Sequence, residues 1–169
     1  MENKALYVLA GYDSQTEEYL SGIQEKLYAQ GFSGVHTKGI PMHMTLGSLP
    51  TDMEEKLKKL VTSTAESTAP FDVTFNHVGI FGGANVLFTA PDVNHDVLAL
   101  KEKFGDSKNW TAHTTFLIDS PEVIYKALHA VMQEFKAFGG KVISLHMYEF
   151  FPTRHILTVG LKAIRGGQD

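Results

Sequence analysis

The chain has 169 residues, 43% of them hydrophobic and 20% charged, the profile of one soluble domain large enough to bury a core. It contains no cysteine, which excludes disulfides, thiolate zinc sites, iron–sulfur ligation and cysteine nucleophiles together. A formal charge of −4 disfavours a protein that coats long nucleic acid, because neutralising phosphates needs a basic face. The apolar run at 5–10 is too short for a signal peptide or a membrane span, so the expected location is the cytoplasm.

Two periodicities alternate along the chain. Residues 5–11 (ALYVLAG) have strand character, and Ser14 with Glu17 then stand at capping-box spacing. Leu20, Ile23 and Leu27 recur at helical spacing until Gly31 stops the helix. Residues 43–49 (HMTLGSL) read as a second strand, and Thr51 with Glu54 repeat the capping spacing before a stripe of Met53, Leu57, Leu60 and Val61. Residues 71–78 alternate like a half-buried strand.

After Gly82-Gly83 the same order returns. Residues 85–90 read as a strand, 94–104 as a helix, and 113–118 (HTTFLI) as a strand. Ser120-Pro121 opens a long helix with the stripe Ile124, Leu128, Val131, Met132 and Phe135, which Gly139-Gly140 are expected to end. Residues 142–150 and 156–162 form a closing hairpin. The order is β-α-β-α-β twice, plus one strand. The spacing from His43 to Phe71 is 28 residues and from His113 to Val142 it is 29, which supports a duplication. The expectation is an α+β fold: one domain over 1–169, with two pseudo-symmetric lobes (about 1–82 and 83–169). Each lobe has an antiparallel sheet with outer helices, and a central cleft lies between them.

His43-Met44-Thr45-Leu46 and His113-Thr114-Thr115-Phe116 share one pattern of His, any residue, Thr and an apolar residue. With 23 serines and threonines and eight histidines, two His-x-Ser/Thr matches alone carry little. The weight comes from strand context, duplicate position and matched downstream distance. Side chains at i and i+2 of a strand share a face, so each histidine projects beside its threonine. Two imidazoles across a phosphate-sized gap can serve as base and acid, and two hydroxyls can donate to non-bridging oxygens without a metal. Gly47, expected on the same face, would leave room for a ligand.

The segments PMHMTLGSL (41–49), AHTTFLID (112–119) and VGIFGGANVLFTA (78–90) resemble the 2H phosphoesterase superfamily, which includes the LigT-like 2′-5′ RNA ligases and 2′,3′-cyclic nucleotide phosphodiesterases. The resemblance implies that His43 and His113 act as general acid and base and that Thr45 and Thr115 hold the phosphate. It implies hydrolysis of a cyclic phosphodiester or related phosphoester on a nucleotide or short RNA end, with no metal or cofactor. Two alternatives stand beside it, a nucleotide- or phosphate-binding protein without turnover and a 2′-5′ RNA-end ligase. The acidic balance favours a small nucleotide or an RNA terminus over a polymer.

Parity in the last hairpin places Ser144, His146, Tyr148 and Phe150 opposite the core face, with Arg154, Ile156 and Thr158 on the same side. Tyr148 is expected to contact phosphate or stack on a base, Arg154 to pair with phosphate, and Tyr7 to stand nearby. His77 reads as a core histidine, His95 and His129 as surface residues, His155 as a turn residue, and His36 as part of a loop with Lys38. No His-x-His or His-x-x-x-His pair supports a metal site.

Overall fold

The computed structural model describes residues 4–34 and 39–164. His36 and Lys38 lie outside the described residues. The elements run β1 (Ala5–Tyr12), α1 (Ser14–Ala29), β2 (His43–Pro50), α2 (Glu54–Ser67), β3 (Phe71–Phe81), β4 (Val86–Pro91), α3 (His95–Glu102), β5 (Thr114–Ile118), α4 (Pro121–Glu134), β6 (Phe138–Phe150) and β7 (Arg154–Gly160). A single 3-10 turn, Thr51–Met53, precedes α2.

Among the described residues the architecture is α+β, with seven antiparallel strands and four α-helices. The strands form one sheet rather than two separate ones, in the order β2-β1-β6-β3-β4-β5 with β7 paired to β6. If β1, β2 and β3 are exchanged for β4, β5 and β6, this order reads the same from either end. The sheet holds together because β6 is 13 residues long. Its first part pairs with β3 (Val73↔Gly140), whereas its second part pairs with β1 on one edge and β7 on the other.

Local chemistry departs from the expected caps in ways that matter for the site. Asp13, not Ser14, caps α1 by accepting from the Thr16 amide at 3.0 Å. Glu17 is thereby released, and its carboxylate accepts from the Met42 amide at 3.0 Å. Helix α4 ends at Glu134, and Gly139 and Gly140 belong to β6. Gly140 is required there, since a β-carbon would lie 2.7 Å from Thr16 Oγ1.

The core lies between the sheet and the helices. Leu20, Ile23 and Leu27 of α1 enter it as expected. Helix α4 buries Ile124, Ala127, Ala130 and Val131 and packs Leu128 and Phe135 against the core as expected, with Met132 alone of its stripe exposed. On α2 the stripe is Leu57, Val61, Thr64 and Ala65, with Leu60 exposed. Among the described residues no helix is long and apolar enough to cross a membrane.

Candidate active site

The face of the sheet turned away from the helix core carries the two motifs. His43 opens β2 and His113 immediately precedes β5, and both are partly exposed. Each imidazole makes the same local bond. His43 Nδ1 lies 2.6 Å from the Pro41 carbonyl and His113 Nδ1 lies 2.8 Å from the Thr111 carbonyl, two residues upstream in both cases. A carbonyl only accepts, so both Nδ1 atoms carry hydrogen, and Nε2 is left on each ring to take or give a proton.

Matching irregularities follow both threonines. In the β1–β2 ladder Leu9 faces Thr45 and Val8 faces Gly47, so Leu46 is an extra residue. In the β4–β5 ladder Phe88 faces Thr115 and Leu87 faces Leu117, so Phe116 is extra. The apolar fourth residue of each motif is therefore a β-bulge, and Leu46 and Phe116 are both fully buried. The bulge also overturns the expectation for Gly47. The extra residue moves it to the helix side, where a β-carbon would lie 2.5 Å from the Phe104 carbonyl oxygen. Its bareness makes room for α3's end, not for a ligand.

His43, Thr45, Thr115 and Tyr7 line one cleft of about 250 Å3, together with Gln24, Pro41, Ile118, Phe150 and other apolar residues. Several buried or half-buried side chains join the motif strands to their surroundings. The indole N–H of Trp110, in the segment before β5, donates to the Thr45 carbonyl at 3.1 Å. Gln24 Nε2 donates to the carbonyl of the bulge residue Phe116 at 3.0 Å, and Tyr12 Oη lies 2.6 Å from Thr114 Oγ1. His113 is wedged by two rings, with centroids 4.8 Å from Phe81 and 5.6 Å from Phe88.

Burial pushes the His43 imidazole down to about 4, the Pro41 carbonyl opposes this, and the charges of His113 and His146 lower it further. His146, on the face expected for it but with no role read from its spacing, stands close enough to His43 for its charge to act on that ring. It sits on β6 opposite Leu9, with Nδ1 2.8 Å from Thr158 Oγ1 and Nε2 3.2 Å from Ser144 Oγ. Burial, with the nearby charge of His155, lowers its basicity as well. His155 reaches the same hydroxyl, Nε2 to Thr158 Oγ1 at 2.9 Å. Only pairing across four strands brings these groups together, so no local spacing signals them.

Tyr148 is on the expected face, in register with Tyr7, and only 8% exposed. Its ring stacks on Phe150 at 5.8 Å and meets His155 edge-on at 5.0 Å, while Tyr7 and Phe150 are 5.1 Å apart. Burial raises the Tyr148 hydroxyl above its usual range. Arg154 does not join the cleft. Tyr148 pairs with His155 and Met147 with Leu157, so Ile156 is a bulge that reverses the expected parity. Arg154 falls opposite Glu149 and pairs with Glu149 at 2.8 Å and with Glu54 of α2 at 2.7 Å. A similar irregularity between Phe75 and His77 puts His77 outside the core, exposed and 3.7 Å from Asp92. His95 and His129 are on the surface. Among the described residues no group of three or more His, Asp or Glu side chains is placed to hold a metal ion.

The fold is shared with solved proteins of low sequence identity. LigT of E. coli in its apo form superposes with a TM-score of 0.63 at 14% identity, covering 96% of this chain and all of that one. A protein described as a phosphoesterase gives 0.61 at 14% over the same shares. TT0787 of Thermus thermophilus gives 0.59 at 15%, over 95% of this chain and all of that one. LigT has also been crystallised with 3′-AMP, ATP, NADP+ and phosphate. No curated protein matches by sequence. The 2′-5′ RNA ligase superfamily matches residues 13–150, a span that contains both His-x-Thr motifs and the strands that carry them. The chain belongs to the 2′-5′ RNA ligase superfamily, the LigT-like 2H phosphoesterases.

Proposed function

We propose that the protein is a metal-independent phosphoesterase that hydrolyses a cyclic phosphodiester, or a related phosphoester, of a nucleotide or short RNA end. We read residues 1–169 as one domain whose two halves act as lobes about the cleft. The observation that carries the reading is the matched pair of imidazoles, each with Nδ1–H tied to the carbonyl two residues upstream. Each ring is thereby oriented in one tautomer with Nε2 available for proton transfer.

His43 is the base, because burial keeps it neutral. Its Nε2 takes a proton from water as the water oxygen bonds to phosphorus. The bond from phosphorus to the ribose oxygen breaks, and His113, entering the step as imidazolium, gives its Nε2 proton to that oxygen. Thr45 and Thr115 donate to the non-bridging oxygens as charge builds there. The products are a phosphomonoester and a free hydroxyl, one water having been consumed. Nucleotide ligands in LigT crystals support a nucleotide as substrate, and the cleft lining contains no lysine or arginine among the described residues, which suits a singly charged diester.

The test is incubation with 2′,3′-cyclic nucleotides in the presence of a chelator. Release of a nucleoside monophosphate by the wild type, lost in His43→Ala and His113→Ala, is the expected result. Saturable binding without product would instead establish the nucleotide-binding alternative.

A further inference from the structure

Gln24 stands on the buried face of α1 between Leu20 and Leu27 and is only 8% exposed. Its Nε2 donates to the Phe116 carbonyl, and because a carbonyl cannot donate, this bond settles which end of the amide is nitrogen. Oε1 has no hydrogen-bond partner among the described residues. It is not sealed off either, since no buried side-chain oxygen or nitrogen among them lacks a partner. The opening available to this side chain is the cleft, whose wall includes it beside Thr45 and Thr115. A ligand that fills the cleft takes water away from this oxygen, so one that brings an N–H is favoured over an isostere that lacks it.

The surrounding wall is largely apolar. Tyr7, Phe150 and Phe151 contribute rings, with centroids 5.1 Å apart both from Tyr7 to Phe150 and from Phe150 to Phe151. Ile40, Met42 and Ile118 complete it. A cleft of about 250 Å3 with such walls takes one planar ring system next to the phosphate-binding hydroxyls.

We propose that Gln24 determines which ring the cleft accepts. The ligand is a nucleotide whose base presents an N–H donor, such as the exocyclic amine of adenine or cytosine, and Gln24 Oε1 accepts from it. This rests on the phosphoesterase reading for the reacting end of the molecule, but the ring contact is measurable without turnover.

Matched pairs of ligands test it. The 3′-phosphates of adenosine and purine riboside differ only in the amine, as do those of cytidine and pyrimidin-2-one riboside. Calorimetry on the wild type should show the amine-bearing member of at least one pair binding about tenfold more tightly. Gln24→Met should bring that ratio close to one while changing affinity for the member without the amine far less. Equal affinities in both pairs, no binding of any of the four ligands, or a ratio that survives Gln24→Met would overturn the proposal. The wild-type comparison decides on its own should Gln24→Met fail to fold. Amine-dependent binding without hydrolysis of any cyclic nucleotide would refute the hydrolase reading and leave the ring contact standing. Hydrolysis without amine dependence would do the reverse.

Discussion

The His146 imidazole occupies the space that a side chain on Gly11 would need: a β-carbon there would lie 2.1 Å from His146 Nε2. Gly11 is also the β1 residue opposite His43. A bare backbone position therefore lets a third histidine lean from β6 toward the motif histidine on β2.

Gly11→Ala should displace this ring and disturb the cleft floor. A destabilisation of about 1–3 kcal/mol is expected, with kcat/KM falling by up to about a hundredfold under conditions where the variant is folded. Adding His146→Ala should recover much of the lost stability, because the clash partner is gone. Thermal melts of the two single variants and the double variant measure this coupling, and simple additivity would refute it.

Loss of either motif imidazole should cost about 10²–10⁴ in kcat. Thr45→Val and Thr115→Val should each cost about 10²–10³, as loss of one donor to a developing oxyanion does elsewhere. Circular dichroism should show all four variants folded. Near-normal turnover in any of them would remove that residue from the mechanism.

The lowered basicity of His43 predicts an acid limb of kcat/KM near pH 4 instead of the roughly 6.5 of a free imidazole. The same shift links to stability. Between about pH 6.5 and 4 the unfolded chain holds more protons than the fold, so stability is complete above this window and falls as pH drops through it. The loss is up to about 3 kcal/mol, and His43→Gln should reduce it. Urea melts at pH 4.5 and 7 would show the effect. An acid limb that stays near 6.5 would assign the base role elsewhere.

Arg154→Gln breaks the contacts with Glu54 and Glu149. A small, salt-sensitive loss of stability with turnover retained is expected, because the guanidinium lies on the other side of β7 from the cleft residues. A selective rise in KM would instead return Arg154 to the phosphate.

Gly47→Ala should lower Tm without altering KM, since its β-carbon meets the Phe104 backbone and not the ligand space. A destabilisation of about 1–3 kcal/mol is in keeping with such overpacking. An unchanged Tm would show that α3's end yields easily.

The order of strands and helices, the doubled His-x-Thr pattern and the shared face of each pair were legible because they depend on periods of 2 and 3.6, which are local. The errors for Gly47, His77 and Arg154 have one cause. Each lies across an irregularity from the residues that set its expected face, at Leu46, between Phe75 and His77, and at Ile156, where one added residue reverses the parity on its far side. Nothing in an apolar residue such as Leu46 announces that it will bulge. Glu17 was legible only as a cap, and Asp13 one position before Ser14 displaced it from that task.

By itself, the sequence determined that this cysteine-free, mildly acidic chain repeats one β-α-β-α-β unit and sets a histidine beside a threonine at the same place in each. The tertiary structure decided what surrounds those groups. It tied both Nδ1 atoms to backbone carbonyls, brought His146 across Gly11, turned Arg154 to the far side and put Gln24 on the wall of the cleft. The last three of these join residues as far apart in the chain as Gly11 and His146 and depend on strand register and helix docking. No spacing along the chain encodes them, because the free energy that selects them comes from burying the whole sheet against its helices at once.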